Sequence, residues 1–137
     1  MKKIIISSAV RTAIGSFGKT LKNISAVELG SAVISEAMTK SKIKPSDVDE
    51  VVMGQVLTAG CGQNPARQSA IKSGVPVEKP SYLVNQVCGS GLRSIVSAYH
   101  SILTGSSKIV VAGGQESMSS SRHCVYLRDG KKIGDVE

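Results

Sequence analysis

Tryptophan is absent from this sequence of 137 residues, and the other aromatic side chains are three tyrosines and one phenylalanine. Stacking nucleic-acid bases takes more rings than that. The net charge of +7 is therefore read as lysines and arginines scattered over helices and turns, and no nucleic-acid partner is expected. Cysteine is scarce too: Cys61, Cys88 and Cys124 are an odd number with no Cys-x-x-Cys pair. This excludes a disulfide framework, and reduced thiols are expected. His123-Cys124 lacks two further ligands at usable spacing, so no metal is expected. No apolar run approaches the roughly 20 residues that cross a bilayer, so neither is a membrane. The start, Met1-Lys2-Lys3-Ile4-Ile5-Ile6, is diluted by Ser7 and Ser8 and closed by Arg11 before a signal core could form. It reads as a buried first strand in a soluble, cytoplasmic protein.

What is present is an ordinary globular balance, 41% apolar and 20% charged, enough for one α/β domain with a core. Strands and helices alternate, which argues for a parallel sheet with crossover helices. Lys3 to Val10 is the first strand. Ser25-Ala26-Val27-Glu28 has the spacing of a capping box, and a helix follows to about Lys40 with Leu29, Val33, Ala37 and Ile34, Met38 as its apolar stripe. Pro45-Ser46-Asp47 is a turn, and Val51-Val52-Met53 with Val56 is a second strand running into the glycine-rich stretch from Gly54 to Gly62. Asn64-Pro65 reads as an N-cap and first helical position, opening a short helix to Ser73 that Gly74 and Pro76 stop. Tyr82-Leu83-Val84 is a third strand. Leu92, Ile95, Val96, Tyr99, Ile102 and Leu103 recur at the spacing of a helix buried along one face, and Ile109 to Ala112 is a fourth strand, closed by Gly113-Gly114. Beyond Met118, Ser119-Ser120-Ser121 and the basic stretch from Arg122 to Lys132 show no period.

Cys88 falls between the third strand and the first turn of an amphipathic helix. Such a junction brings a side chain to the carboxyl edge of the sheet, where open α/β folds bind ligands. It also sets the sulfur beside unpaired amides and the positive end of the helix dipole, which favour the nucleophilic thiolate. Gly89 and Gly91 leave room for a substrate and for a tight turn, much as in a nucleophile elbow. Two other readings fit the same residues. A free cysteine is commonly a small buried hydrophobe. And Gly89-Ser90-Gly91-Leu92-Arg93-Ser94, after a strand and opening a helix, approximates a dinucleotide fingerprint, although it does not follow the first strand and the next strand ends in Gly-Gly-Gln where a ribose-binding acid belongs.

The run Asn85-Gln86-Val87-Cys88-Gly89-Ser90-Gly91-Leu92 resembles the active-site cysteine signature of the thiolase family. Gly62-Gln63-Asn64-Pro65-Ala66-Arg67-Gln68, Gly113-Gly114-Gln115-Glu116-Ser117-Met118-Ser119 and the opening from Ser8 to Phe17 are similar to three further family runs, in the same order. Cys-Gly-Ser-Gly-Leu and the tail His123-Cys124 with Leu127-Arg128 resemble the biosynthetic branch, which condenses two acetyl-CoA to acetoacetyl-CoA and CoA.

The resemblance implies a thiolase-like α/β fold: alternating strands and helices that form most of one N-terminal half-domain, with a parallel-dominated mixed sheet. Residues 1–118 would be that incomplete domain and 119–137 the start of an inserted loop domain. Cys88 would be the nucleophile that carries the acetyl group, and its backbone amide an oxyanion donor. Coenzyme A would be substrate and product, with no resident cofactor, and the assembly a homodimer or homotetramer. The family's activating histidine, second cysteine and water-ordering asparagine lie in runs that are not found here. His100 cannot replace them, being twelve residues along a helix, about 18 Å, from Cys88. His123 belongs with loop and subunit contacts, Cys61 with an ordinary loop, Glu116 with a turn or helix partner, and Asn64 and Arg67 with the helix entry and domain contacts. The chain alone is expected to be inactive and to leave apolar surface uncovered. A related condensing enzyme acting on carrier-bound acyl chains is the alternative within the superfamily.

Overall fold

The computed structural model describes residues 3–124 and Tyr126. Helix α1 (Ala26–Ser41) opens on the capping box read from the sequence: the Glu28 amide donates to Ser25 Oγ, and Glu28 Oε2 accepts the Ser25 amide at 2.9 Å. It ends at Lys42, whose left-handed backbone turns the chain back with its amide on Met38 and Thr39. Its buried stripe is Ala26, Gly30, Ile34 and Met38, with Leu29, Val33 and Ala37 half-buried at its flank. Helix α2 (Pro65–Lys72) is capped by Asn64, which accepts the Arg67 amide at 3.1 Å. Helix α3 spans Ser90–Leu103.

The strands β1 (Glu50–Gly54), β2 (Ser81–Val84) and β3 (Val110–Gly114) form a sheet in the order β2-β1-β3. Every pairing is parallel: Val51 lies against Ser81 on one side and Val111 on the other, and Gly54 against Val84 and Gly114. β1 is central, and residues 51–54 are buried. Val51 and Met53 pack with Ile34 and Met38 of α1 and Ala66 and Ala70 of α2. Side chains alternate along a strand, so Val52, fully buried, points to the opposite face, the one α3 covers.

Two expectations change. Lys3 to Val10 forms no strand: Ile5 and Ile6 are 73% and 77% exposed, and the segment lies along the end of α1, with Ser8 Oγ donating to the Ala37 carbonyl at 3.0 Å. β-branched residues favour extended backbone, but a strand also needs a neighbour's ladder. None of the three described strands offers it one. In α3 the buried residues are Ser90, Ser94 and Ala98, whereas Leu92, Ile95, Tyr99 and Leu103 of the expected apolar stripe are exposed. The helix lies so close to the strand ends that only small side chains fit beneath it, which turns the large ones outward. The segment from 119 onward, the expected start of an inserted domain, lies outside the described residues apart from 119–124 and Tyr126. There, Met118–Ser120 is a single 3-10 turn.

Asp49, just before β1, fastens the entry of β3 by accepting the amides of Lys108 and Ile109 at 2.8 and 3.0 Å. These two backbone bonds, assisted by the Lys79 ammonium 3.8 Å away, hold its carboxyl below the usual aspartate range. A depressed folded-state pKa contributes stability that is present above the unfolded pKa and lost as pH falls through the folded one. Asp49→Asn should therefore lower stability at neutral pH and flatten its decline on acidification, as followed by urea unfolding at stepped pH. An unchanged acid slope would count against this role.

Candidate active site

The carboxyl ends of β1 and β3 finish in glycine at the same register, Gly54 beside Gly114. Here the backbone of α3 reaches the sheet. A Cβ on Gly54 would stand 2.5 Å from the Ser90 carbonyl oxygen and 2.6 Å from the Gly91 nitrogen, and one on Gly114 would stand 3.3 Å from the Gly91 Cα. Ser94, fully buried, adds a tie by donating within reach of both the Gly91 and Gly113 carbonyls, at 2.7 and 2.8 Å. The first turn of α3 is thereby set onto the edge of the sheet, and the connection from β2 must deliver residues 85–89 to it.

That connection is a tight turn held by its own side chains. Gly89 and Ser90 donate their amides to the carbonyls of Gln86 and Val87 at 3.0 and 3.1 Å. Ser90 Oγ accepts the Gln86 amide at 2.9 Å and donates to the Val87 carbonyl at 2.6 Å. Asn85 Oδ1 accepts the Val87 amide at 3.0 Å, and its Nδ2 donates to the Val56 carbonyl at 3.3 Å. The left-handed residue is Val87, with φ 50°, while Gly89 has an ordinary φ of −83° as the N-cap of α3. Gly91 lies inside the helix. The glycines thus serve close approach to the sheet, and it is not a glycine that makes the turn.

Cys88 follows Val87 and is exposed, so the buried-hydrophobe reading does not hold. No side chain caps α3, but the amides of Gly89 and Ser90 are engaged inside the turn. The free amides expected around the sulfur are fewer than the sequence pattern implied. His100 sits near the far end of α3 with its ring against Tyr99, centroids 5.9 Å apart. His123 lines an open groove with Lys22, Asn23, Ser25 and Arg122, which does not include Cys88. Cys61 stays in its loop, where it accepts from Gln55 Nε2 at 3.5 Å. Glu116 accepts the amides of Val56 and Leu57, at 2.8 and 3.3 Å, as a turn partner. Asn64 and Arg67 fix the entries of α2 and β2: Asn64 Nδ2 donates to Ser81, and the Arg67 guanidinium to Val77 and Lys79. None of these contacts involves Cys88.

A polar chain beneath the strand ends was not read from the sequence. Ser69 Oγ donates to Gln115 Oε1 at 2.7 Å, Gln115 Nε2 to Gln55 Oε1 at 2.9 Å, and Gln55 Nε2 to the Leu57 carbonyl at 2.8 Å. All three side chains are buried, and they join α2 to the residues that immediately follow β3 and β1. Gly30 of α1 leaves them room, since a Cβ there would stand 2.8 Å from Ser69 Oγ and 2.9 Å from Gln115 Cδ. A sequence signal did exist: each of these two strands runs Gly-Gln at its carboxyl end, Gly54-Gln55 and Gly114-Gln115.

The profile of the thiolase N-terminal domain matches residues 4–137. The chain belongs to the thiolase family. It is 51% identical over its full length to the acetyl-CoA acetyltransferase of Cupriavidus necator, of which it spans 35%. It is 47% identical over 97% of its length to the cytosolic acetyl-CoA acetyltransferase of Rattus norvegicus, of which it spans 34%. Among solved structures, the acetyl-CoA acetyltransferase of Bacillus anthracis superposes over 91% of the chain with a TM-score of 0.87 and 39% identity, the overlap being 32% of that protein. The Acat5 thiolase from Ascaris suum, in complex with coenzyme A, superposes over 85% of the chain with a TM-score of 0.83 and 43% identity, the overlap being 30% of that protein. The chain thus spans about a third of the length of these relatives, and its α/β fold is that of thiolases. The family match removes the dinucleotide reading of Gly89 to Ser94.

Proposed function

We propose that this chain carries the acyl-accepting cysteine of an acetyl-CoA C-acetyltransferase, and that Cys88 is that residue. The observation that supports this best is the exposed placement of Cys88 at the β2–α3 junction, on the carboxyl edge of a parallel sheet, within the run that resembles the family's cysteine signature.

In the first half-reaction the Cys88 thiol gives up its proton, the thiolate attacks the carbonyl carbon of acetyl-CoA, the thioester bond breaks, and CoA leaves as the thiol with that proton, giving acetyl-cysteine. The Cys88 amide is the oxyanion donor, and one such donor is worth about 2.7 to 4 kcal/mol of barrier. In the second half-reaction another acetyl-CoA loses an α-proton, and its carbanion attacks the acetyl-cysteine, releasing acetoacetyl-CoA and the Cys88 thiolate. The reverse sequence is thiolysis. CoA is substrate and product, and no cofactor takes part. His100 stands about 18 Å along a helix from Cys88 and the groove that His123 lines does not include Cys88, which supports the reading that residues 1–137 alone hold the nucleophile without its proton acceptor. The same proposal keeps 1–118 as one domain unit and 119–137 as the start of another. The setting is cytoplasmic, as for the relatives described as cytosolic, and the working form a homodimer or homotetramer.

Limiting iodoacetamide followed by peptide mapping tests the assignment. Cys88 should be labelled ahead of Cys61 and Cys124, and faster labelling of either would overturn it. Acetoacetyl-CoA thiolysis by residues 1–137 alone should be undetectable; a rate abolished by Cys88→Ser would show that the chain holds its own proton acceptor.

A further inference from the structure

We propose that Ser90 is a positioning residue for Cys88: its buried hydroxyl holds Val87 in the left-handed conformation that aims the cysteine. The inference rests on the reading of Cys88 as nucleophile and goes beyond it.

Val87 has a φ of 50°. A β-branched residue avoids this region because its Cβ substituents crowd the backbone, and it stays there only where the surroundings over-determine it. The surroundings here are two side chains and one backbone bond, the Ser90 amide donating to the Val87 carbonyl at 3.1 Å. Asn85 Oδ1 holds the amide of Val87 at 3.0 Å, and Ser90 Oγ holds its carbonyl at 2.6 Å. The same hydroxyl accepts the Gln86 amide at 2.9 Å, so a single oxygen clamps both ends of the Gln86-Val87 pair. Ser90 is in turn enclosed: it is 4% exposed, and its own backbone lies against Gly54 at the end of the central strand. The geometry thus runs from the sheet through Gly54 and Ser90 to Val87, and the peptide after Val87 carries the amide of Cys88. If Val87 relaxed to a negative φ, that peptide would rotate, and amide and sulfur would turn together. Ser90 need not touch a substrate to matter.

The test uses the 137-residue chain and the ratio of iodoacetamide labelling rates at Cys88 and Cys61, with circular dichroism and urea midpoints to confirm folding. Ser90→Ala should lower the ratio by about tenfold as Val87 relaxes. Val87→Gly placed in the Ser90→Ala background should restore it to within about threefold of the wild type, because glycine adopts positive φ without a Cβ clash. A residue that only stabilised the fold would lower the midpoint, leave the ratio alone and gain nothing from the glycine. The proposal is overturned by a folded Ser90→Ala chain whose ratio stays within about twofold of wild type, a change too small for a reoriented residue, or by a paired variant as low as the single one. Should Ser90→Ala fail to fold, the paired variant decides alone: folded with the ratio restored it supports the proposal, and unfolded or low it overturns it. Failure of the nucleophile reading is separate, being slower labelling of Cys88 than Cys61 in the unaltered chain.

Discussion

Replacing Gly54 with alanine is expected to unfold the chain or drive α3 off the sheet, a loss on the order of 3 kcal/mol or more. The added Cβ would meet the Ser90 carbonyl oxygen at 2.5 Å and the Gly91 nitrogen at 2.6 Å, both backbone atoms with no rotamer to give way. Neither partner can retreat cheaply. Gly54 ends the central strand, paired on both sides, and its carbonyl accepts the Gln115 amide at 2.9 Å. On the other side, α3 is tied to β3 through Ser94. The informative control is Gly105→Ala: that glycine has a φ of 83° but nothing within 4 Å of a built Cβ, so only the backbone conformation is strained, at about 1 kcal/mol. Urea unfolding of both variants separates crowding from conformation. A Gly54→Ala midpoint equal to that of Gly105→Ala would show that the close approach is not limiting. Because the strand end also supports Ser90, Cys88 labelling should fall in any Gly54→Ala protein that remains folded.

Gln115→Glu should be nearly as damaging although it changes no volume. The buried chain has a direction: Ser69 donates to Gln115, Gln115 to Gln55, and Gln55 to the Leu57 carbonyl. A carboxylate at position 115 could still accept from Ser69, but its second oxygen would face Gln55 Oε1. Turning the Gln55 amide would only move the clash to Leu57. With one bond lost and a charge 5% exposed, the cost is about 3 to 5 kcal/mol at neutral pH. Acid should relieve it. Burial raises the folded-state pKa of such a carboxyl, so the folded form binds more protons above the unfolded pKa and stability falls as pH rises through that window. On lowering pH the protonated group can donate to Gln55. Urea midpoints of the variant should therefore approach those of the wild type between about pH 7 and 5; a pH-independent gap would mean that the carboxyl is not desolvated.

The parts of the fold that local chemistry decides were readable from the residues: the Ser25–Glu28 box, Asn64-Pro65 opening α2, the three strands and the junction that carries Cys88. Lys3 to Val10 misled because a β-branched run states a preference whereas a strand needs a partner. The stripe Leu92-Ile95-Tyr99-Leu103 misled in a different way. Periodicity locates the apolar face of a helix, but in α3 the face that meets the sheet is chosen by how near the backbone must come, and nearness selects serine, glycine and alanine. The site divided along similar lines. Its cysteine was visible through type and context, and Ser90, which shapes the turn, looked like one letter of a motif because its hydroxyl acts on residues three and four positions earlier. The Gln55–Gln115–Ser69 chain joins residues distant in sequence, and nothing local marks them as partners.

The central position of β1 also sets an order of assembly. Val51 finds one neighbour in Ser81 and the other in Val111, so during synthesis β1 waits for β2 and β3, and these three strands cannot close into a sheet until Gly114 has left the ribosome. Parallel pairs across such intervals form slowly, since each must close a long loop before any contact rewards it. Until β3 arrives, one edge of β1 stays open, and the turn bearing Cys88 has its helix but only part of the sheet on which to rest. The sheet and the seat of the Cys88 turn are completed together, late, by the same strand.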